Sequence, residues 1–297
     1  MREFIGETEV ESTGTWRTHG RGLPLIRRTY DSMLDFCADA HTGLDAYIEM
    51  HDYGGASFAA NFSGVSSWEE LEKLCIEGWN ERLPETLEVA EAAVRMVEGE
   101  MEVFEPQHQV YGADVDVAAA VAGLPEDMID YPLTVVSNVG TTVTICTDVQ
   151  CHAGVSATAI INRGIVIVAL ALALEQAGHQ TELWVSDEYT AGSSRAILRT
   201  LVKSTSEFID PARIMFAYAH PAVQRGLGFC TIAGMPSPFF KIAQASYGNV
   251  SGITKDLPEE TIYMEPIFRH SDSPNAEAEL RRYLIQLGLL ADPDDDD

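Results

Sequence analysis

The stretch from 141 to 187, TTVTICTDVQCHAGVSATAIINRGIVIVALALALEQAGHQTELWVSD, constrains this chain more than any other. β-Branched residues over 141–149 predict a strand that delivers Asp148 to its end, and 181–186 predicts a second strand. Between them, 159–177 contains the strand-like run Ile165-Val166-Ile167-Val168. Its length, its Leu/Ala continuation and Gly178 in the position after a helix end nevertheless predict a helix. That helix is apolar almost all round, so it must be buried on most sides. Strand, helix and strand imply a parallel sheet, and the loops at the carboxyl ends of its strands are the default place for a site. The expected class is therefore α/β, with a mostly parallel central sheet built from βαβ units and a helical, acidic N-terminal layer.

Composition narrows the possibilities. A chain of 297 residues with 46% hydrophobic residues can bury one large core or two smaller ones. The first residues, MREFIGETEVEST, lack the basic-then-apolar order of a secretory signal. The longest apolar run, 164–174, is about half the roughly 20 residues that a bilayer span needs, so no membrane crossing is expected. Five cysteines (Cys37, Cys75, Cys146, Cys151, Cys230) without framework spacing fit free thiols in a reducing compartment, which makes a cytoplasmic location the expectation.

A net charge of -27 disfavours direct nucleic-acid binding and anionic membrane surfaces, and suits a basic protein partner. The charge is uneven. Residues 67–130 hold 17 acids and 3 bases, a net of -14, whereas 131–250 hold 7 of each. The expected domain plan is a mainly helical acidic layer over 1–130, an α/β core over 131–290 and a disordered acidic tail over 291–297, with PEDMIDYP (125–132) as the connector.

In chain order, 1–30 has no periodicity and reads as an arm. Helices are expected over 30–40 and 46–50, after the capping box Ser67/Glu70, and over 84–98. Residues 102–111 read as extended, and 115–122 as a short apolar element started by Asp114 or Asp116. A strand is expected at 133–136, a helix capped by Ser193 or Ser194 through 202, strands at 213–219 and 262–265, and a last helix opened by Ser273-Pro274.

The chemistry-bearing residues cluster after the first core strand. Cys146, Asp148, Cys151, His152 and Ser156 offer thiolate, carboxylate and imidazole, the usual zinc ligands, so a divalent metal held by Asp148, Cys151 and His152 is one reading. A structural loop around a buried thiol is the other. No CxxC pair completes four ligands, and no cofactor is implied. Cys151 beside His152 cannot readily share a hydrogen bond as a nucleophile pair, and no GxSxG, P-loop or strand-linked GxGxxG is present. If 213–219 is a strand, His220 falls at the same sheet edge as Asp148 and Asp187. Together with Ser156 and Arg225 these form the convergent polar set. Arg195, Arg199 and Lys203, at four-residue spacing, make a basic stripe on the expected helix, suited to phosphate, to an acidic partner or to internal pairing with the acidic layer.

Four stretches carry a resemblance: Gly78-Trp79 after SSWEELEKLCIE, VAGLPEDM at 121–128, INRGIVIVALALALEQAGHQTELWV at 161–185 and FAYAHPAVQRGLGF at 216–229. The chain resembles an uncharacterised family of tailed-phage proteins over most of 57–265. That resemblance implies a phage or prophage origin, hence a host cytoplasm, and no known reaction. The middle unit is more distantly similar to von Willebrand factor A domains, whose metal-adhesion loop follows a DxSxS pattern. The matching run here is Asp148-Val149-Gln150-Cys151-His152, in which both serines are replaced, so the resemblance implies fold rather than a magnesium site.

These observations favour a non-enzymatic α/β protein-binding or adaptor module. The alternatives are a metal-dependent enzyme using Asp148, His152 and His220 at the carboxyl ends of the strands, and an acidic DNA mimic.

Overall fold

The computed structural model describes residues 1–7, 24–51, 57–98, 107–110, 114–125, 127–130, 142–176, 178–191, 194–245, 250, 257, 261–267, 281–285 and 290. In chain order they form β1 (Arg2–Glu7), β2 (Pro24–Tyr30), α1 (Met33–Thr42), α2 (Leu44–Met50), α3 (Ala60–Ser63), α4 (Trp68–Glu77) and α5 (Leu83–Glu98). A small sheet follows, of β3 (Gln107–Gln109), β4 (Asp114–Val115) and β5 (Met128–Asp130), with α6 (Val117–Ala122) between the last two. Then come β6 (Thr142–Asp148), α7 (Ala157–Gln176), β7 (Gln180–Ala191), β8 (Ser194–Lys203) and α8 (Pro211–Ala219). A π-helical turn (Val223–Gly228), α9 (Phe229–Ala233), α10 (Phe240–Ala245) and β9 (Ile262–Met264) complete the set.

The central sheet has six strands in the order β1-β2-β8-β7-β6-β9. The β2/β8, β7/β6 and β6/β9 pairs are parallel, and the β1/β2 and β7/β8 pairs antiparallel. The expected α/β class with a mostly parallel sheet is what the chain adopts. The unit β6–α7–β7 lies where the sequence places it, although β7 runs on to Ala191 and turns back as β8.

Three expectations need correction. Residues 1–30 contribute β1 and β2 rather than only an arm, because pairing with β8 satisfies a backbone whose side chains show no simple period. Residues 194–203 form a strand rather than a helix. A four-residue spacing keeps side chains on one face of a helix and equally on one face of a strand, so the arginines could not discriminate. Residues 213–219 belong to a helix rather than a strand. Asp210 caps it by accepting from the amides of Ala212 (3.1 Å) and Arg213 (3.3 Å), and Pro211 occupies its first turn.

Local signals elsewhere hold. Ser67 caps α4 by accepting from the Glu70 amide at 3.2 Å, and Asp116 caps α6 through the amides of Ala118 and Ala119. Gly178 has φ +90°, the left-handed conformation expected just past a helix. The expected strand at 133–136, the start of the last helix at 273–274 and the tail 291–297 lie outside the described residues. Residues 281–285 are helical, with Leu284 buried.

Helix α7 is the centre of the core. Ile165, Val166, Ile167, Val168, Leu170 and Leu174 are all buried, and each contributes about 1.5–3 kcal/mol of transfer free energy. Length and composition alone would let α7 cross a membrane, but most of it is enclosed by the protein. Helices α5 and α8 lie against it, while α1, α8 and α10 meet the sheet. One continuous cluster of buried apolar side chains runs from Ile26 in β2 to Leu290.

Candidate functional site

Strand β6 places Asp148 at its carboxyl end, fully buried. A buried carboxylate is costly unless its oxygens find donors. Here the Gln150 amide donates to Oδ1 at 2.9 Å and the Tyr263 hydroxyl to Oδ2 at 2.9 Å. Arg163 of α7 donates to the Asp148 carbonyl at 2.9 Å and also to the Glu265 carbonyl, tying the ends of β6 and β9 to the core helix. Burial, reinforced by the nearby Glu188 carboxylate, pushes the Asp148 carboxyl up to about 7, against the opposing pull of these donors.

The loop beyond Asp148 is bolted down by two residues of the π-helical turn. The buried Cys151 thiol donates to Gln224 Oε1 at 2.9 Å. Arg225 Nη2 donates to the Val155 carbonyl at 2.8 Å and to Cys151 Sγ at 3.4 Å, while its Nη1 donates to the Phe62 carbonyl at 2.9 Å. The same guanidinium stacks over the Phe62 ring, 4.2 Å from its centre. Burial raises the Cys151 thiol above its ordinary value despite the neighbouring Arg225, so it is held as a thiol rather than a nucleophilic thiolate. Ser156 caps α7 by accepting from the Ala159 amide at 3.2 Å. His152 is exposed, and its Nδ1 accepts from the Gly154 amide at 3.1 Å.

Asp148, Cys151 and His152 thus each turn to a different partner. Among the described residues no group of three or more His, Cys, Asp or Glu side chains is placed to hold a metal ion.

His220 does not follow a strand. It caps the C-terminus of α8, with Nδ1 accepting from the Ala222 amide at 3.2 Å and its ring edge-on to Trp79, 4.8 Å between centres. Burial holds it down to about 4, so it is neutral at physiological pH. It nevertheless reaches the β6 end by another route, as one wall of a narrow crevice shared with Val149, Ile160, Arg163, Gln224 and Ile267.

Asp187 faces away from Asp148, because adjacent strand residues alternate. Its Oδ2 accepts from the Tyr189 hydroxyl, Oδ1 has no hydrogen-bond partner, and burial lifts its carboxyl well above the ordinary range. A β-carbon on Gly228 would stand 2.2 Å from Asp187 Oδ2 and 2.3 Å from the Tyr189 hydroxyl, so only glycine lets the π-helical turn pass over this pair.

The basic stripe divides. Arg195 and Arg199 share one face of β8, whereas Lys203 sits past a register irregularity opposite Leu183, where it meets Glu175 of α7 at 2.8 Å. Arg195 meets Glu188 at 2.5 Å. Both carboxylates belong to the βαβ core, not to the acidic N-terminal segment expected to pair with the stripe.

Cross-strand pairing puts a further set on the Arg199 face. Ser186 is opposite Arg199, Glu188 and Arg27 flank Ile197, and Asp148 is opposite Ser186. Arg27, Arg163, Ser186, Glu188 and Tyr263 were not singled out from sequence. The pairing of distant strands brings Arg27, Ser186, Glu188 and Tyr263 to one face, and α7 carries Arg163 to the end of β6.

A second feature lies apart from the sheet. Among the described residues the strands β3, β5 and β4 pair only with one another, and none of the residues of this small unit joins the main core. Val117 and Val121 of α6 are 69% and 84% exposed, and Val110, Val115 and Leu124 are each more than half exposed. Asp114 is exposed beside them, and Asp116 and Asp127 are half-buried.

A family model described as a domain of unknown function (DUF7192) matches residues 9–291. No curated protein and no solved structure gives a significant match.

Proposed function

The chain belongs to that family of unknown function, and from this premise we propose that it is a non-enzymatic α/β binding module that engages a basic protein partner through the β3–β5–β4 and α6 unit. The observation that carries the reading is the exposed surface of Val110, Val115, Val117, Val121 and Leu124. Apolar side chains gathered on one small unit and rimmed by carboxylates mark a protein contact more than a solvated face. The net charge of -14 over 67–130 steers a basic partner and discourages nucleic acid.

On this reading the protein acts in a cytoplasm, that of the host if it is phage-encoded, in keeping with five cysteines that are all free and buried. The likeness to von Willebrand factor A domains is proposed for β6–α7–β7 alone.

The test compares wild type with a Val117→Asp/Val121→Asp double variant in affinity capture from host lysate at low and high salt. Wild type should retain a basic partner that the variant loses, with the melting temperature unchanged, since both positions are exposed. Equal recovery by both refutes the reading. Capture of nucleic-acid-binding proteins that ignores the valines and yields to salt replaces it with DNA mimicry. A stoichiometric metal, lost on Asp148→Ala or His152→Ala, replaces it with a metal-dependent enzyme.

A further inference from the structure

We propose that the arginine-bearing face of the central sheet is a binding site for a protonated phosphate group, gripped side-on by Arg199 with Ser186 as a second donor and Glu188 as the acceptor of its hydroxyl. The site is independent of the α6 unit.

The argument begins with strand register. Arg199 and Ser186 are direct cross-strand partners, so their side chains leave the same face about 5 Å apart at the β-carbons. Glu188 lies one pair along that face, opposite Ile197, and Arg27 of β2 is opposite the same residue from the other side. Arg195 completes the ring through its contact with Glu188 Oε2 at 2.5 Å.

On this face, polar atoms are shut off from solvent without a hydrogen-bond partner: Nε and Nη2 of Arg199, Oγ of Ser186 and Oε1 of Glu188. Folded proteins leave few such atoms, since each gives up its hydration without a replacement bond. Four on three neighbouring residues of paired strands point to a missing ligand.

The types of atom identify its chemistry. Nε–H and Nη2–H form one edge of the guanidinium, two parallel donors that match two oxygens of a carboxylate or phosphate. The Ser186 hydroxyl can give a third bond. Glu188 Oε1, an acceptor, would repel a fully deprotonated anion and requires a donor. Inorganic phosphate carries both acceptor oxygens and a P–OH at neutral pH, and a phosphomonoester does so as its monoanion, the minor form at pH 7 because its second pKa is about 6, whereas sulfate and carboxylates have no such hydroxyl.

Charged groups of both signs gather here: Glu188 lies among Arg27, Arg195 and Arg199, and Asp148 stands opposite Ser186. Burial first, and then the neighbouring Arg199 and Arg195, pull the Arg27 pKa down against the opposing Glu188 carboxylate. The Arg195 side chain is 22% exposed, leaving a way in from solvent.

Isothermal titration at constant ionic strength and pH 7 tests the site with sodium phosphate, methyl phosphate and sodium sulfate. Wild type should bind phosphate one-to-one, at least ten-fold tighter than sulfate. Tighter binding of methyl phosphate than of phosphate identifies an ester as the natural form, and the reverse identifies the free ion. Arg199→Lys keeps the charge but loses the paired donors, and should weaken phosphate at least ten-fold. Ser186→Ala should weaken it a few-fold. Arg213→Gln, at an exposed arginine paired only locally with Asp210, serves as the control and should change nothing. Phosphate should also raise the melting temperature of wild type but not of Arg199→Lys, a readout that survives if the more drastic Arg199→Gln fails to fold. No saturable binding, equal binding of sulfate, or an Arg199→Lys protein that binds like wild type overturns the proposal.

Discussion

Replacing Gly164 with alanine sets helix propensity against tertiary packing, and the two predict opposite signs. Within an isolated helix the change is favourable by about 0.8–1.0 kcal/mol. In the folded chain Gly164 lies where α7 crosses α8. A β-carbon there would stand 2.3 Å from both the α-carbon and the β-carbon of Ala219 and 2.6 Å from its nitrogen. Carbon atoms rest at about 3.5–4.0 Å, so the helices must part by roughly 1 Å or more.

Two of the three contacts are with backbone, which cannot rotate aside, and α7 is enclosed on most sides. Overpacking of this kind costs about 1–3 kcal/mol, sometimes more, and the backbone contact puts it at the upper end. Set against the propensity gain, the expected net loss for Gly164→Ala is about 2 kcal/mol, a fall in melting temperature of about 3 °C for a chain of this size. Urea denaturation and thermal scans followed by far-ultraviolet circular dichroism measure it. Unchanged or increased stability would refute the close crossing of α7 and α8. Gly123→Ala makes the contrast. That glycine has φ +72° and no atom within 4 Å, so the loss there comes from the left-handed backbone alone, about 1 kcal/mol.

Titration of buried groups gives further tests. Asp148 is raised to about 7 when folded, so the unfolded chain releases this proton first. Its contribution is present at low pH and is lost as pH rises from about 4 to 7. Asp148→Asn should remove that part of the slope, seen as a smaller fall in urea midpoint between pH 4.5 and 7.5; a slope equal to that of wild type would count against a buried, proton-holding Asp148. His220 acts with the opposite sign. It is held near 4, so its stabilising contribution, present above the unfolded value near 6.5, is lost as pH falls through that range, and His220→Gln should flatten the acid limb of the same titration. All five cysteines are buried thiols, so a thiol reagent should modify none quickly in the native protein and all five in urea; rapid native labelling of Cys151 would contradict its enclosure by Gln224 and Arg225.

The sequence by itself determined the features whose causes are local. The almost wholly apolar composition of 159–177 and the glycine after it required a buried helix ending near 177, and the flanking β-branched runs required strands. Ser67 announced its helix through a short side chain that satisfies a backbone amide three residues away, whereas 115–122 read only as an apolar element with Asp114 or Asp116 at its start. Local pattern could not decide 194–203, where one spacing fits both periods, nor 213–219, where continuous burial from 214 to 219 erases any period. The candidate residues divide along the same line. Asp148 and Arg225 drew notice through their chemistry, yet the structure gives one to the ends of β6 and β9 and the other to the loop after β6. Arg27 carried no local signal at all. It joins Arg199, Ser186 and Glu188 only because β2 pairs with β8, about 170 residues later in the chain, and a strand's choice of neighbour is a property of the whole sheet.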